Sequence, residues 1–345
     1  MKHLKTGAGI AVVAGVALFA ALIVWQGTGE VWASVRGLGA GLALVPVWFV
    51  VPLAFGALSW RILFPPASRP AWGPTTLGTW IGFAVNWLLP VAQIGGDIAK
   101  AHWVTRRGAP AVEATASTVV DKTVQVATQV AYTLMGAVVF AVTVSGGRVL
   151  AAVGAVTAVF VLAIGGFYIV QRRGLFRIGT KLIERFLSAE HSGKLQATGE
   201  RIDAAVHATY TRRRRLAWSF LWRMAFRFGL MMEIAFFLHL MGRDTSLGEA
   251  LILSSLGQAA RAAAFVIPGG LGAREGALML IGVPLGLSGP EALTLSLAER
   301  FRELLVGIPA LLFWHFTYGL SFFFRRDKDA PGTREDAPET ADTRN

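Results

Sequence analysis

Long uncharged apolar stretches alternate with short charged ones along most of the chain. Four stretches approach or exceed the roughly 20 helical residues that cross a bilayer core, namely residues 8–25, 38–60, 149–170 and 304–324. Lys2 and Lys5 precede the first stretch, as in a signal peptide. That stretch is long for a signal core and no Ala-x-Ala site follows it, so we expect it to remain as a span. The pattern predicts an all-α integral membrane protein, a polytopic helical bundle.

Two further apolar segments, residues 71–96 and 247–287, contain helix-breaking and charged residues. The breaking residues are Pro90, Gly95 and Gly96 in the first segment and Pro268, Gly269, Gly270 and Gly272 in the second. Broken backbone at membrane depth is stable only where protein or a wet cavity satisfies its polar groups. An ordinary Pro-kinked span is one interpretation. The other, which we favour, is a re-entrant hairpin of two half-helices in each segment.

The two broken segments are followed by similar patterns of charge. Glu113 and Asp121 are eight residues apart, as are Glu291 and Glu299, and a basic residue comes next in each case. The first segment would enter the membrane from the cytoplasm and the second from outside. This arrangement is an inverted repeat, which in transporters places the binding site where the two halves meet.

The distribution of Lys and Arg predicts the orientation of the chain, because these residues accumulate on the cytoplasmic side. With the N-terminus inside, 23 of the 33 Lys and Arg residues fall in cytoplasmic pieces and 3 fall in outer loops. We therefore expect about six spans plus the two hairpins, with both termini inside. The net charge of +12 then reflects topology and contact with anionic lipids.

These patterns divide the chain into five predicted parts. They are an N-terminal transmembrane hairpin (1–70), a first repeat of a re-entrant hairpin and two spans (71–171), a cytoplasmic amphipathic linker (172–215), a second repeat of a span, a re-entrant hairpin and a span (216–324), and a disordered cytoplasmic tail (325–345).

Composition excludes several function classes. The chain is 54% hydrophobic and 16% charged and has no cysteine, so disulfides, thiolate metal sites and Cys nucleophiles are absent. The six His residues show no metal-binding spacing, and no nucleophile elbow is present. The run Arg212–Arg215 lacks the aromatic residues of a nucleic-acid site. We therefore predict no catalytic residue, no metal, no cofactor and no nucleic-acid partner.

Charged residues inside the two repeats are the candidates for function. A charge at the bilayer centre costs about 2.5–3.5 kcal/mol, so such residues pair, face water or bind a ligand. The candidates are Asp97, Lys100, Asp121, Lys122, Arg274, Glu275, Glu299, Arg300 and Arg302. Asp97 and Lys100 are three residues apart and should share a helix face, whereas neighbours such as Asp121 and Lys122 do not face each other. We expect such neighbours to pair across the two halves, which would leave basic groups free for a ligand phosphate. Structural salt bridges that lock the bundle are the alternative.

Two expectations concern individual groups. A half-helix that restarts near Ala273 would point its positive end into the membrane, and Arg274 would add a full charge there. Arg274 and Arg300 should then matter more for transport than for folding. Glu233 lies deep in an apolar segment as a possible proton carrier or a helix-packing partner, while Arg223 and Arg227 could snorkel toward Arg212–Arg215.

The same segments carry a family resemblance. "PGGLGAREGA" with "GPEALTLSLAERFREL" resembles the lysylphosphatidylglycerol synthase transmembrane (flippase-like) family, and "LLPVAQIGGDIAKAHWVTRRG" and "STVVDK" fit its first half. "PVAQIGGD" is most similar to the hopanoid-cluster-associated branch. The likeness covers most of residues 77–324. It implies a protein that moves lipids or accompanies lipid-modifying enzymes. Only a short tail follows residue 324, so we do not expect the aminoacyl-transferase domain of the full-length resistance factor.

Three functions follow as hypotheses. The first is a lipid translocase of the bacterial inner membrane that acts on a phospholipid, expected to be anionic, or on a hopanoid-type lipid. The second is an accessory subunit that binds lipid-biosynthetic enzymes. The third is a membrane enzyme acting on a lipid, for which the sequence offers only scattered carboxylates.

Overall fold

The computed structural model describes Arg36 and residues 39–89, 93–144, 189–263 and 272–318. These residues form α-helices joined by short loops and 3-10 turns, and none of them lies in a strand. The helices are α1 Val45–Arg61, α2 Trp72–Leu88, α3 Gly95–Thr105, α4 Ala111–Thr143, α5 Ala189–Tyr210, α6 Arg213–Leu240, α7 Leu247–Ala263, α8 Ala273–Gly282 and α9 Gly289–Tyr318. The predicted all-α class is confirmed.

Two sets of three helices follow the same order of lengths. Helices α2, α3 and α4 have 17, 11 and 33 residues, and α7, α8 and α9 have 17, 10 and 30. Their contacts also correspond: α2 packs on α3 as α7 packs on α8, and α4 packs on α7 as α9 packs on α2. Helix α1 packs against α6. We call α1–α4 the first half and α6–α9 the second half.

Capping boxes fix where two helices of the second half begin. The carboxylate of Glu249 accepts from the Ser246 backbone N–H at 2.8 Å, and the Ser246 hydroxyl accepts from the Glu249 N–H at 3.2 Å. Ser288 and Glu291 make the same pair of bonds at 2.7 and 3.4 Å. Each box satisfies N–H groups that the first turn of a helix leaves without partners.

The break before α8 depends on a glycine. Gly272 has a φ of +79°, a left-handed conformation that favours glycine. Its N–H donates to the carboxylate of Glu275 at 2.7 Å, which closes the first turn. Helix α8 then begins at Ala273, as predicted.

The start of α3 lies backbone to backbone against α2. The Gly96 N–H donates to Asn86 Oδ1 at 2.9 Å. A Cβ atom at Gly96 would lie 2.0 Å from the carbonyl oxygen of Gly82. Only glycine permits this approach, which brings the short helix close to α2.

The bundle exposes apolar side chains and buries charged ones. Phe301, Leu304, Leu305, Ile308 and Leu312 form an exposed apolar stripe along α9. The Asp, Glu, Lys and Arg side chains of the two repeats are mostly buried between helices. This distribution suits a protein whose solvent is the hydrocarbon of a bilayer.

Only one helix of the described part of the chain, Ala111–Thr143, is long and apolar enough to cross a membrane by itself, and Val45–Arg61 is a shorter apolar helix. Helices α6 and α9 are 28 and 30 residues long. Their buried charges lower their hydropathy.

Several predictions fall outside the described residues. They concern Pro90, Pro268, Gly269, Gly270, the spans at 8–25 and 149–170, most of the linker before residue 189, and the tail at 325–345. Helix α5 covers the last part of the predicted linker and packs along α4.

Candidate functional site

A cavity of about 460 Å³ lies where helices of the two halves meet. Side chains of α2, α4, α6, α7 and α9 line it, together with the first residues of α3 and α8. Its charged lining comprises Lys100, Lys122, Arg223, Arg227, Arg261, Arg274 and Arg302 with Asp97 and Glu299. Cations therefore outnumber carboxylates among the charged residues that line this cavity.

In the first half, a chain of ion pairs joins α3 to α4. Lys100 Nζ lies 3.0 Å from Asp97 and 2.5 Å from Asp121, and Lys122 Nζ lies 2.9 Å from Asp97. Asp121 is completely buried. It also accepts a hydrogen bond from Arg223 Nη2 of α6, at 2.5 Å. The predicted shared helix face of Asp97 and Lys100 is confirmed.

The second half has a matching chain between α8 and α9. Arg274 pairs with Glu299. Arg300 lies 3.4 Å from Glu275 and 3.3 Å from Glu303. All five side chains are at most 15% exposed. Each charge is therefore stabilised by the opposite charges beside it and not by water.

Two further arginines complete the second-half network. Arg302 Nε lies 3.1 Å from Glu233 Oε1, and the Arg302 guanidinium stacks 5.1 Å from the ring of Trp87. Arg261 pairs with Glu303. These pairs tie α6 and α7 to α9.

The ion pairs occupy equivalent positions in the two halves. Asp97 is the third residue of α3, and Glu275 is the third residue of α8. Each carboxylate pairs with the twelfth residue of the long helix in its own half. This residue is Lys122 in α4 and Arg300 in α9. The expected pairing across the halves is therefore wrong for Lys122 and Arg300, but it is confirmed for Asp121, which pairs with Arg223 of the second half. Each short helix lies on the long helix of its own half, so that helix supplies the nearest opposite charge.

Arginines 223 and 227 do not snorkel to Arg212–Arg215. They are 2% and 6% exposed and turn inward. Arg227 donates to Gln129 Oε1 at 2.5 Å and to Gln258 Oε1 at 3.1 Å, and no carboxylate of the described residues pairs with it. These arginines lie about three and four turns beyond the start of α6 at Arg213, so the route to the interface is longer than the route into the cavity.

Several polar residues at the cavity were not predicted from the sequence as site residues. They include Gln125, Gln129, Gln258 and Arg261. The signal was present, because Gln125 and Gln129 are four residues apart on an apolar helix and therefore share a face. Their partners on α6 and α9 could not be read from spacing within one helix.

Glu233 has a partner at one carboxylate oxygen only. Arg302 is that partner, as the helix-packing interpretation requires, and proton carriage stays a prediction. Among the described residues, no three His, Asp or Glu side chains are grouped so as to hold a metal ion.

A family model described as the lysylphosphatidylglycerol synthase TM region matches residues 12–310. The chain belongs to this family. No curated protein and no solved structure matches it. As a member of the lysylphosphatidylglycerol synthase transmembrane family, it is an integral membrane protein connected with lipid metabolism or translocation. The match spans the cavity and all its ion pairs, so the resemblance inferred from the sequence is confirmed. The hopanoid-associated branch stays a prediction.

Proposed function

We propose that the protein moves a polar-headgroup lipid, a phospholipid or a hopanoid-type lipid, across the bacterial cytoplasmic membrane. One observation carries the proposal. The cavity joins a cationic lining to aromatic and apolar walls that include Phe83, Trp87, Phe226 and Leu230. The cationic lining suits a charged lipid headgroup, and the apolar walls suit the adjoining part of the acyl chains.

The matching halves support an inverted repeat as the framework of this movement. Helix pairs α2–α3 and α7–α8 act as re-entrant hairpins from opposite faces, with about six spans around them and both termini inside. The site then lies between the repeats, as in other transporters of this architecture. Alternate opening of the cavity to each face moves the headgroup, while the acyl chains stay in lipid.

The cavity lowers the main barrier to lipid movement, which is the cost of taking a charged headgroup out of water. Several guanidinium and ammonium groups already lie in the cavity, held in place by carboxylates on neighbouring helices. They offer charge-assisted hydrogen bonds to a phosphate without further ordering.

Reconstitution tests this proposal. Purified protein in liposomes should speed the exposure of a fluorescent lipid to an impermeant quencher. Val126→Trp fills the cavity wall and should return the rate to that of protein-free liposomes. Val138→Trp is the matched control, because Val138 is 52% exposed on the same helix, and it should leave the rate unchanged. Equal rates for the two variants would refute transport through the cavity.

A second candidate is an accessory subunit that scaffolds a lipid-biosynthetic complex. It is favoured by one observation: all nine charged residues singled out from the sequence are already in ion pairs. Such pairing would lock a scaffold equally well. Liposomes in which wild-type protein moves no lipid, together with co-purification of a lipid-modifying enzyme, would favour this candidate. Direct enzymatic action on a lipid is a third possibility, supported by no group in the described cavity beyond its carboxylates.

Arg274 separates the two main candidates. Its partner Glu299 is 5% exposed, so Arg274→Ala leaves a buried carboxylate without a partner and should destabilise the bundle. Arg274→Lys keeps the charge but loses the planar fork. We expect Arg274→Lys to fold and to move lipid more slowly than wild type, per folded molecule. Unchanged transport per folded molecule would place Arg274 in the scaffold only.

A further inference from the structure

The buried charges of the two halves do not balance. We define the charged cluster as the buried and partly buried ionisable side chains that line or adjoin the cavity. Its cations are Lys100, Lys122, Arg223, Arg227, Arg261, Arg274, Arg300 and Arg302, and its carboxylates are Asp97, Asp121, Glu233, Glu275, Glu299 and Glu303. Among the described residues, these eight positive charges face six negative ones, a formal surplus of two. Residues 90–92 and 264–271, between the described helices, contain no ionisable side chain.

When each cation is assigned to the carboxylates with which it pairs, the surplus falls on α6. Within α3 and α4, Lys100 and Lys122 are balanced by Asp97 and Asp121. The four arginines of α7, α8 and α9 pair with three glutamates of α8 and α9 and with Glu233 of α6. What remains is Arg223 and Arg227 of α6, four residues apart and so on one face.

Neither arginine is neutralised by a carboxylate of its own. Arg223 shares Asp121 with Lys100. Arg227 donates only to neutral oxygens, which belong to Thr128, Gln129 and Gln258 and to the backbone of Gln125. A buried cation that is hydrogen-bonded to neutral groups still lacks the counter-charge that burial calls for.

Unused donors accompany the unbalanced charge. With respect to the part of the chain that the structure describes, Arg223 Nε, Arg274 Nε and Arg302 Nη1 are buried atoms with no hydrogen-bond acceptor, in residues that are 2%, 2% and 3% exposed and that line the cavity. Buried donors of this kind cost free energy unless an acceptor is supplied. Several unused guanidinium N–H groups along one cavity call for an acceptor with several oxygens.

We infer that the cavity selects lipids whose headgroup carries two negative charges, that is, a phosphate monoester. This inference rests on the proposed function and names its substrate class. A monoester is a dianion above its second pKa of about 6, so it cancels the surplus, and its three free oxygens match the unused donors. A phosphodiester cancels half of the surplus, a neutral headgroup cancels none, and a cationic headgroup adds repulsion.

The headgroup series is the first test. Calorimetric titration of the full-length protein in detergent would compare short-chain phosphatidic acid, phosphatidylglycerol, a neutral diacyl glycolipid and lysylphosphatidylglycerol at pH 7.5. We expect phosphatidic acid to bind about tenfold more tightly than phosphatidylglycerol or better, the gain of at least one added charged hydrogen bond. Lysylphosphatidylglycerol should bind most weakly. Equal affinity across the series would overturn the inference.

Acidification provides an independent readout. At pH 5 the monoester binds a proton and becomes a monoanion, so its advantage over phosphatidylglycerol should disappear. Phosphatidylglycerol keeps its charge over this range and reports any titration of the cluster itself. Inorganic phosphate serves as the water-soluble comparison ligand in the same titration. Binding of inorganic phosphate as tight as that of phosphatidic acid would assign the site to a free anion and refute a lipid headgroup.

One substitution alters the surplus with little change of shape. Gln129→Glu gives Arg227 a carboxylate partner and lowers the surplus from two to one. We expect phosphatidic acid to bind about tenfold more weakly or worse, while the lipid-free protein melts at the same temperature or higher. Gln129→Leu is the matched control, since it removes the amide but leaves the charge surplus. It should weaken binding less. Unchanged binding in Gln129→Glu would contradict the inference.

The outcomes separate the inference from the function on which it rests. If liposomes show lipid movement but affinity ignores headgroup charge, the dianion selection is wrong and the translocase stands. If no lipid in the series binds or moves, both are wrong. The headgroup and pH series use wild-type protein, so they decide the matter even if Gln129→Glu does not fold.

Discussion

Replacing Asp121 by Asn should destabilise the protein strongly, because this carboxylate serves two cations at once. Lys100 Nζ and Arg223 Nη2 each lie 2.5 Å from it, Gln125 Nε2 donates to it at 2.8 Å, and the side chain is fully buried. Lys100 retains Asp97 at 3.0 Å, but Arg223 is left without a carboxylate. Removing one partner of a buried ion pair costs about 3–5 kcal/mol, and we expect a loss of this size.

The assay is thermal unfolding of detergent-purified variants, in which the loss of the monodisperse species with temperature reports unfolding. Arg243→Gln is the control for an exposed pair, because Arg243 and Glu291 are 27% and 26% exposed and lie 3.3 Å apart. It should cost less than about 1 kcal/mol. The double variant Asp121→Asn with Arg223→Gln removes the unpaired cation and should recover part of the loss. A midpoint for Asp121→Asn as high as that of Arg243→Gln would refute the reasoning.

Three further predictions concern packing, capping and orientation. Gly96→Ala places a Cβ 2.0 Å from a backbone oxygen and should cost at least about 1–3 kcal/mol, whereas Gly73→Ala, with nothing within 4 Å, should be neutral in the same melting assay. Ser288→Ala removes a cap of α9 and should lower stability by about 1 kcal/mol, measured by the same melt. Since the chain has no native cysteine, single cysteines at Gly242 and Ser192 can be labelled without background. We expect Gly242 outside and Ser192 inside, and the reverse labelling would overturn the topology.

Local features of the fold followed from the sequence because they depend on neighbouring residues. The long helix after residue 111, the restart at Ala273 and the shared face of Asp97 and Lys100 are set by helical period, by Pro and Gly, and by an i,i+3 spacing. The eight-residue spacing from Glu113 to Asp121 and from Glu291 to Glu299 also gave the equivalent positions in the two halves.

The partners of the charged residues could not be predicted in the same way. Helical spacing gives the face on which Lys122 or Arg300 lies, but not the helix that this face meets. The structure shows that each short helix packs on the long helix of its own half, so Lys122 and Arg300 pair within their halves and not across them. Asp121 alone of the predicted neighbours pairs across the halves, with Arg223. Arg227 was misplaced for a similar reason, because its glutamine acceptors lie on two other helices.

Pairing within each half bears on how easily the halves could slide or rotate past one another. In the charged cluster, Arg223–Asp121 is the one ion pair that joins the two halves, and Arg227 adds hydrogen bonds to neutral groups on α4 and α7. Every other ion pair of the cluster would travel intact with its own half. The electrostatic part of the activation barrier to such a rearrangement is then concentrated on two arginines of α6. A dianion that binds beside these two side chains would meet them at the moving boundary, where ligand binding can change the rate of opening.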